Sequence, residues 1–142
     1  MRVKDCMCNK VIKAKGETSL REIAKLMENN GVGCVPICNE EDRVVGFITD
    51  RDIITRCVAA NGDCSKTKAS EVMTKQVIKT TPDTEIQEAC ETMSTNQVRR
   101  LPVIEEGKII GMLSLGDISQ SQDASKDSIG HTLGCICDKS ET

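Results

Sequence analysis

The chain repeats itself, and this repetition limits what it can fold into more than any other feature. Met7, Val11, Ile12, Lys13, Thr18, Glu22, Met27, Asn30, Val32 and Pro36 recur 66 residues later as Met73, Val77, Ile78, Lys79, Thr84, Glu88, Met93, Asn96, Val98 and Pro102. Beyond the prolines the offset is 65, pairing Gly46 with Gly111, Thr49 with Ser114, Asp52 with Asp117 and Ile53 with Ile118. Two copies of one small unit therefore account for most of the 142 residues.

Within each copy the apolar spacing distinguishes helix from strand. Leu20, Ile23, Ala24 and Met27, and likewise Ile86, Ala89, Cys90 and Met93, recur at helical intervals. Thr18 and Thr84 are the predicted N-caps, with Gln87 completing a capping box for Thr84. Cys34-Val35-Pro36-Ile37 and Arg100-Leu101-Pro102-Val103 read as strands. Their prolines remove a donor and are expected to kink or end them. Polar turns at Asn39 to Asp42 and at Glu105 to Gly107 lead into second strands, Val44 to Ile48 and Ile109 to Leu113, and a second helix follows each. Each copy thus reads as β-α-β-β-α, an α/β unit. The predicted boundaries are residues 1–62 for the first copy, 63–68 for a linker, 69–122 for the second copy and 123–142 for a polar tail. Ile129, Leu133 and Ile136 suggest a short helix in that tail.

Composition removes several classes of function. With one Phe and no Tyr or Trp, the core must be built from Ile, Val, Leu, Met and Cys, and stacking platforms for bases are absent. A net charge of −3 opposes tracking of a phosphate backbone, so nucleic acid is not an expected partner. No apolar run approaches the roughly 20 residues that span a bilayer, and Met1 to Lys10 lacks a signal-peptide apolar region, so a cytoplasmic location and no membrane partner are expected. Nine cysteines, an odd number, read as free thiols in a reducing compartment. Cys6 with Cys8, and Cys135 with Cys137 near His131, are spaced more tightly than usual structural zinc ligands, so no metal is expected. No nucleophile has a base placed beside it by the repeat, which argues against an enzyme.

The chemistry-bearing motif is shared by both copies: Gly46-Phe47-Ile48-Thr49-Asp50-Arg51-Asp52 and Gly111-Met112-Leu113-Ser114-Leu115-Gly116-Asp117. The hydroxyl falls where a strand gives way to a helix. Unpaired backbone N–H groups there suit a phosphate, and the carboxylate can accept ribose hydroxyls. The same spacing also fits a capping box that needs no ligand. Arg99 and Arg100 are further candidates for phosphate, and because neighbouring strand residues point to opposite faces only one should reach it. Arg51 is another. In the first copy Gly33 and Cys34 replace the two arginines, so the two sites are expected to be unequal.

The repeat of about sixty residues, the V-G-C-V-P-I and V-R-R-L-P-V strands, and the G-F-I-T-D-R-D-I and G-M-L-S-L-G-D-I endings resemble the CBS domain family over roughly residues 1–122. The resemblance implies a tandem CBS domain pair whose sheets pack about a pseudo-two-fold axis, with clefts between the copies that bind AMP, ADP, ATP, NAD or S-adenosylmethionine. It implies that Asp52 and Asp117 each hold a ribose and that Thr49 and Ser114 contact phosphate. The backbone around Cys34, Val35 and Leu101 would line the adenine, with Val11, Ile12, Val77 and Ile78 near the ring. A homodimer and a separate, regulated protein target are the implied partners. The alternative function is a dimerisation or protein-interaction module with no physiological nucleotide.

Overall fold

Two eleven-residue helices carry the apolar stripes, and each stripe packs on its own antiparallel hairpin. The computed structural model describes residues 1–120. In chain order these form α1 (Val3–Cys6), β1 (Ala14–Lys15), α2 (Leu20–Asn30), β2 (Cys34–Cys38), β3 (Val44–Thr49), α3 (Asp50–Ile53), a π turn (Ile54–Val58), α4 (Ala69–Val72), α5 (Ile86–Asn96), β4 (Arg100–Glu105), β5 (Lys108–Ser114) and α6 (Leu115–Ser119). The expected tail helix at Ile129, Leu133 and Ile136 lies outside the described residues. Among the described residues, no helix is long and apolar enough to cross a membrane.

The chain divides into two compact units, Ile12–Val77 and Met1–Val11 with Ile78 onward. In the Ile12–Val77 unit the sheet order is β1-β2-β3, with β1 parallel to β2 and β2 antiparallel to β3. Leu20, Ile23 and Met27 of α2 bury against Val35, Ile37 and Ile48, and Ala69 and Val72 of α4 close the same core. The other unit pairs β4 with β5 and buries Ile86, Ala89, Cys90 and Met93 of α5 against Leu101, Val103 and Leu113, with Val3 of α1 in that core. The short helix that opens each copy therefore packs with the hairpin of the other copy, so the compact units and the sequence copies divide the chain differently.

Several local expectations change. Ser19, not Thr18, caps α2: its hydroxyl accepts from the Glu22 amide at 3.3 Å. Thr18 lies one residue too early and accepts from the Lys15 amide instead. Glu85 occupies the N-cap of α5 and its side chain makes no capping bond; Thr84 lies one residue too early and its hydroxyl pairs with that of Thr81 at 2.7 Å, so no box forms with Gln87. Ala24 is exposed, which narrows the α2 stripe to Leu20, Ile23 and Met27.

The prolines do not end their strands. β2 and β4 run through Pro36 and Pro102, and the register shift falls one residue later, between Ile37 and Cys38 and between Val103 and Ile104. The first strand of the second copy shrinks to one bridge, Thr80 with Val103, where the first copy has the two-residue β1. The predicted linker is pinned. Its Cys64 and Thr67 carbonyls accept from the Arg21 and Leu20 amides at 3.0 Å, taking two donors of the first turn of α2.

Candidate functional site

β3 and β5 each end on the repeated hydroxyl, which becomes the N-cap of the next helix. Thr49 Oγ1 accepts from the Asp52 amide and Asp52 Oδ2 accepts from the Thr49 amide, both at 3.0 Å. Ser114 Oγ and Asp117 Oδ2 repeat this reciprocal pair at 3.1 Å. Both boxes exist, as the sequence allowed, yet each uses one oxygen of its carboxylate. The second oxygen of Asp52 faces Arg56 Nε at 3.8 Å. A half-buried aspartate held by a box is oriented in advance, with acceptor capacity left for a hydroxyl-bearing ligand.

The repeated glycines have a packing cause. A Cβ on Gly46 would lie 2.8 Å from both Met73 Sδ and the Thr74 carbonyl oxygen, and one on Gly111 would lie 2.9 Å from the Cys8 carbonyl oxygen and 3.0 Å from Met7 Sδ. These are the places where the equivalent segments Met73-Thr74 and Met7-Cys8 cross β3 and β5, bridging to Phe47 and Met112. The spacing gave no signal of this crossing.

Around the boxes the two copies differ in charge. Cys34 pairs with Thr49 across β2–β3, and Arg100 pairs with Ser114 across β4–β5. The Gly33 carbonyl accepts from the Asp50 amide and the Arg99 carbonyl from the Leu115 amide, so these positions also correspond. A Cβ on Gly33 would sit 3.1 Å from Asp50 Oδ2. The first copy thus places a carboxylate beside a glycine where the second places Arg99 beside buried Leu115. Arg51, Arg99 and Arg100 are all exposed, and none makes an ion pair among the described residues. Sequence reading singled out the arginines but missed Asp50 as the counterpart that accompanies Gly33.

The remaining predicted residues divide between the units. Val35 and Leu101 are fully buried in the two cores, so only their backbone is available to a ligand. Ile12 and Val77 belong to the unit of Cys34, Thr49 and Asp52, whereas Val11 and Ile78 belong to that of Arg100, Ser114 and Asp117. All four are half-buried.

Other polar features stand apart from the boxes. An open groove of about 780 Å³ is lined by Lys13, Lys15, Arg21 and Lys25, but by no box residue. Asp42 engages Lys13 at 2.7 Å, raising the lysine above its ordinary pKa through that hydrogen bond, and Glu40 engages Lys15 at 3.2 Å. Burial, helped by Asp42, pushes the Cys38 thiol up. Among the described residues no three His, Cys, Asp or Glu side chains gather to hold a metal; Cys135, Cys137 and His131 lie outside them.

The duplicated strand-to-helix junction marks a tandem-repeat protein, and the chain belongs to the CBS domain family, whose pattern matches residues 3–59 and 69–122. The CBS domain-containing protein YhcV of Bacillus subtilis (strain 168) is 34% identical over 131 residues, covering 92% of this chain and 91% of that protein. The crystal structure of Hypoxic Response Protein I with two coordinated zinc ions is 32% identical with a TM-score of 0.78, covering 84% of this chain and 98% of that one. The CBS domain pair of protein MJ0100, in complex with 5-methylthioadenosine and S-adenosyl-L-methionine, is 29% identical with a TM-score of 0.75, covering 84% of this chain and 94% of that one.

Proposed function

We propose that this chain is a non-catalytic cytoplasmic sensor that binds an adenine nucleotide at its strand-to-helix junctions and relays occupancy to a separate protein target. The observation that carries this reading is the pair of reciprocal boxes, each presenting an oriented carboxylate with an uncommitted share of acceptor capacity. In the second copy the box stands beside two exposed arginines on successive residues, one of which can offer its guanidinium to a phosphate. The adenosine ligands of MJ0100 support the same ligand class. AMP, ADP and ATP fit the arginines; NAD and S-adenosylmethionine share the ribose and adenine that the carboxylate and strand backbone would recognise.

Signalling of this kind requires that the ligand bind one arrangement of the protein more tightly than another. A thermal-shift panel of AMP, ADP, ATP, NAD and S-adenosylmethionine tests the reading, because a ligand at a hundred times its Kd adds about 2.7 kcal/mol of stability. At least one of the five is expected to raise Tm. No response to any of them would favour the second reading, a dimerisation module, for which Ile54 and Val58 speak: they are 59% and 57% exposed on successive turns of one surface.

A further inference from the structure

The thiols of Cys57 and Cys64 approach to 3.1 Å, and neither takes part in the junctions described above. Cys57 is 1% exposed and sits on the π turn within the apolar core of the Ile12–Val77 unit. Cys64 is half-buried and reaches it from the turn that precedes α4. An accessible thiol next to a buried one is the arrangement in which the first can be attacked or attack and the second resolves. We propose that Cys57 and Cys64 form an oxidation site, closed to an intramolecular disulfide by a low-molecular-weight disulfide.

The chemistry balances as two exchanges. The Cys64 thiolate attacks one sulfur of the reagent disulfide, forming a mixed disulfide and releasing one reagent thiolate. Cys57 then loses its proton and attacks Cys64 Sγ, forming the Cys57–Cys64 bond and releasing the second reagent thiolate. Two protein thiols are oxidised, one reagent disulfide is reduced, and the two protons leave with the reagent thiols. The sulfurs need only about 1 Å of further approach to reach bonding distance. The Cys64 thiol stands above its ordinary range, chiefly because Cys57 hydrogen-bonds to it and then through burial, so exchange passes through a minor thiolate population and is slow at neutral pH.

Closure would lock the turn that caps α2. The Cys64 carbonyl accepts from the Arg21 amide, and the Cys57 carbonyl accepts from the Gly62 amide at 2.8 Å. Adjacent Arg56 donates to the Val72 carbonyl at 2.8 Å and faces Asp52. The disulfide would therefore join the linker turn to the segment that follows the first box.

The test uses the full chain with glutathione disulfide as the oxidant, followed by maleimide blocking and tryptic digestion without reduction. Cleavage after Arg56 and Lys66 leaves both thiols in one peptide, 57–66. That peptide is expected to be lighter by two hydrogens and free of maleimide, and oxidation is expected to raise Tm by several degrees in the wild type but not in Cys64→Ser. A peptide bearing two maleimides or a stable glutathione adduct, a link from either cysteine to another peptide, or the same Tm rise in Cys64→Ser would overturn the proposal. None of these outcomes depends on nucleotide binding, so this site and the nucleotide reading fail separately.

Discussion

Arg100 stands opposite Ser114 in the β4–β5 ladder, in the register where Cys34 stands opposite Thr49 in β2–β3. Directly paired residues share a face of the sheet. Leu101, the next residue along, points into the core, so Arg100 points away from it, on the face that carries Ser114. Arg100, not Arg99, is therefore the expected phosphate ligand. A charge-assisted hydrogen bond of about 1.5–3 kcal/mol makes Arg100→Ala weaken AMP at least about tenfold, while Arg99→Ala stays near wild type. Calorimetry on the two variants checks this, and equal effects would remove the distinction.

The boxes separate folding from binding. Thr49→Ala and Ser114→Ala each delete an N-cap acceptor and should lower stability without ligand by about 1 kcal/mol, read from urea unfolding. Asp52→Ala and Asp117→Ala delete the other half of each box and also the ribose acceptor. Each should lose the ligand-induced Tm rise of its own junction in addition to the stability change. If the aspartate variants keep the full ligand response, the carboxylates act only as caps.

The repeated glycines give a prediction that concerns packing alone. Gly46→Ala places its methyl 2.8 Å from the Thr74 carbonyl oxygen, a backbone atom that cannot swing aside. Gly111→Ala meets the Cys8 carbonyl oxygen at 2.9 Å. Each variant should be destabilised by about 1–3 kcal/mol in urea unfolding. A wild-type midpoint for either would mean that the crossing segments do not lie where described.

Much of this was readable in the chain, and the unread part has a common physical origin. The 66-residue offset exposed the duplication, helical spacing of apolar residues placed both long helices, and short apolar runs joined by polar turns placed both hairpins. The same offset singled out Thr49, Asp52, Ser114 and Asp117 as a repeated junction. Ser19 displaced Thr18 as the cap because adjacent hydroxyl residues offer the same chemistry and only backbone geometry chooses between them. What escaped depends on contacts far apart in sequence: Met7 and Cys8 against Gly111, Asp50 filling the space beside Gly33, and Cys64 folded back on Cys57.

Acid should loosen the turn that caps α2. The Ser65 hydroxyl and amide donate to Asp63 Oδ1 at 2.6 and 2.9 Å, holding its carboxyl below the usual aspartate value. A depressed folded-state pKa contributes stability above the unfolded value of about 3.9, and that contribution is lost as pH falls through the folded value. Hydrogen exchange of the Leu20 and Arg21 amides, corrected for intrinsic rates, should therefore quicken at low pH, and Asp63→Ala should remove most of the difference. Exchange with no pH dependence beyond the intrinsic rate would contradict this.

The family resemblance implies a homodimer, and the exposed apolar side chains of Ile54 and Val58 are the place to test it. Light scattering should give twice the chain mass for the wild type and the single-chain mass for Ile54→Glu with Val58→Glu. A monomeric wild type would contradict the dimer.

Isothermal titration of the wild-type protein with AMP reads out directly whether an adenine nucleotide binds through two unequal junctions. One tight site per chain is expected, lost in Asp117→Ala and kept in Asp52→Ala, with any second site weaker by at least about tenfold. No measurable heat at any AMP concentration up to the millimolar range, or two sites of equal affinity, would contradict it.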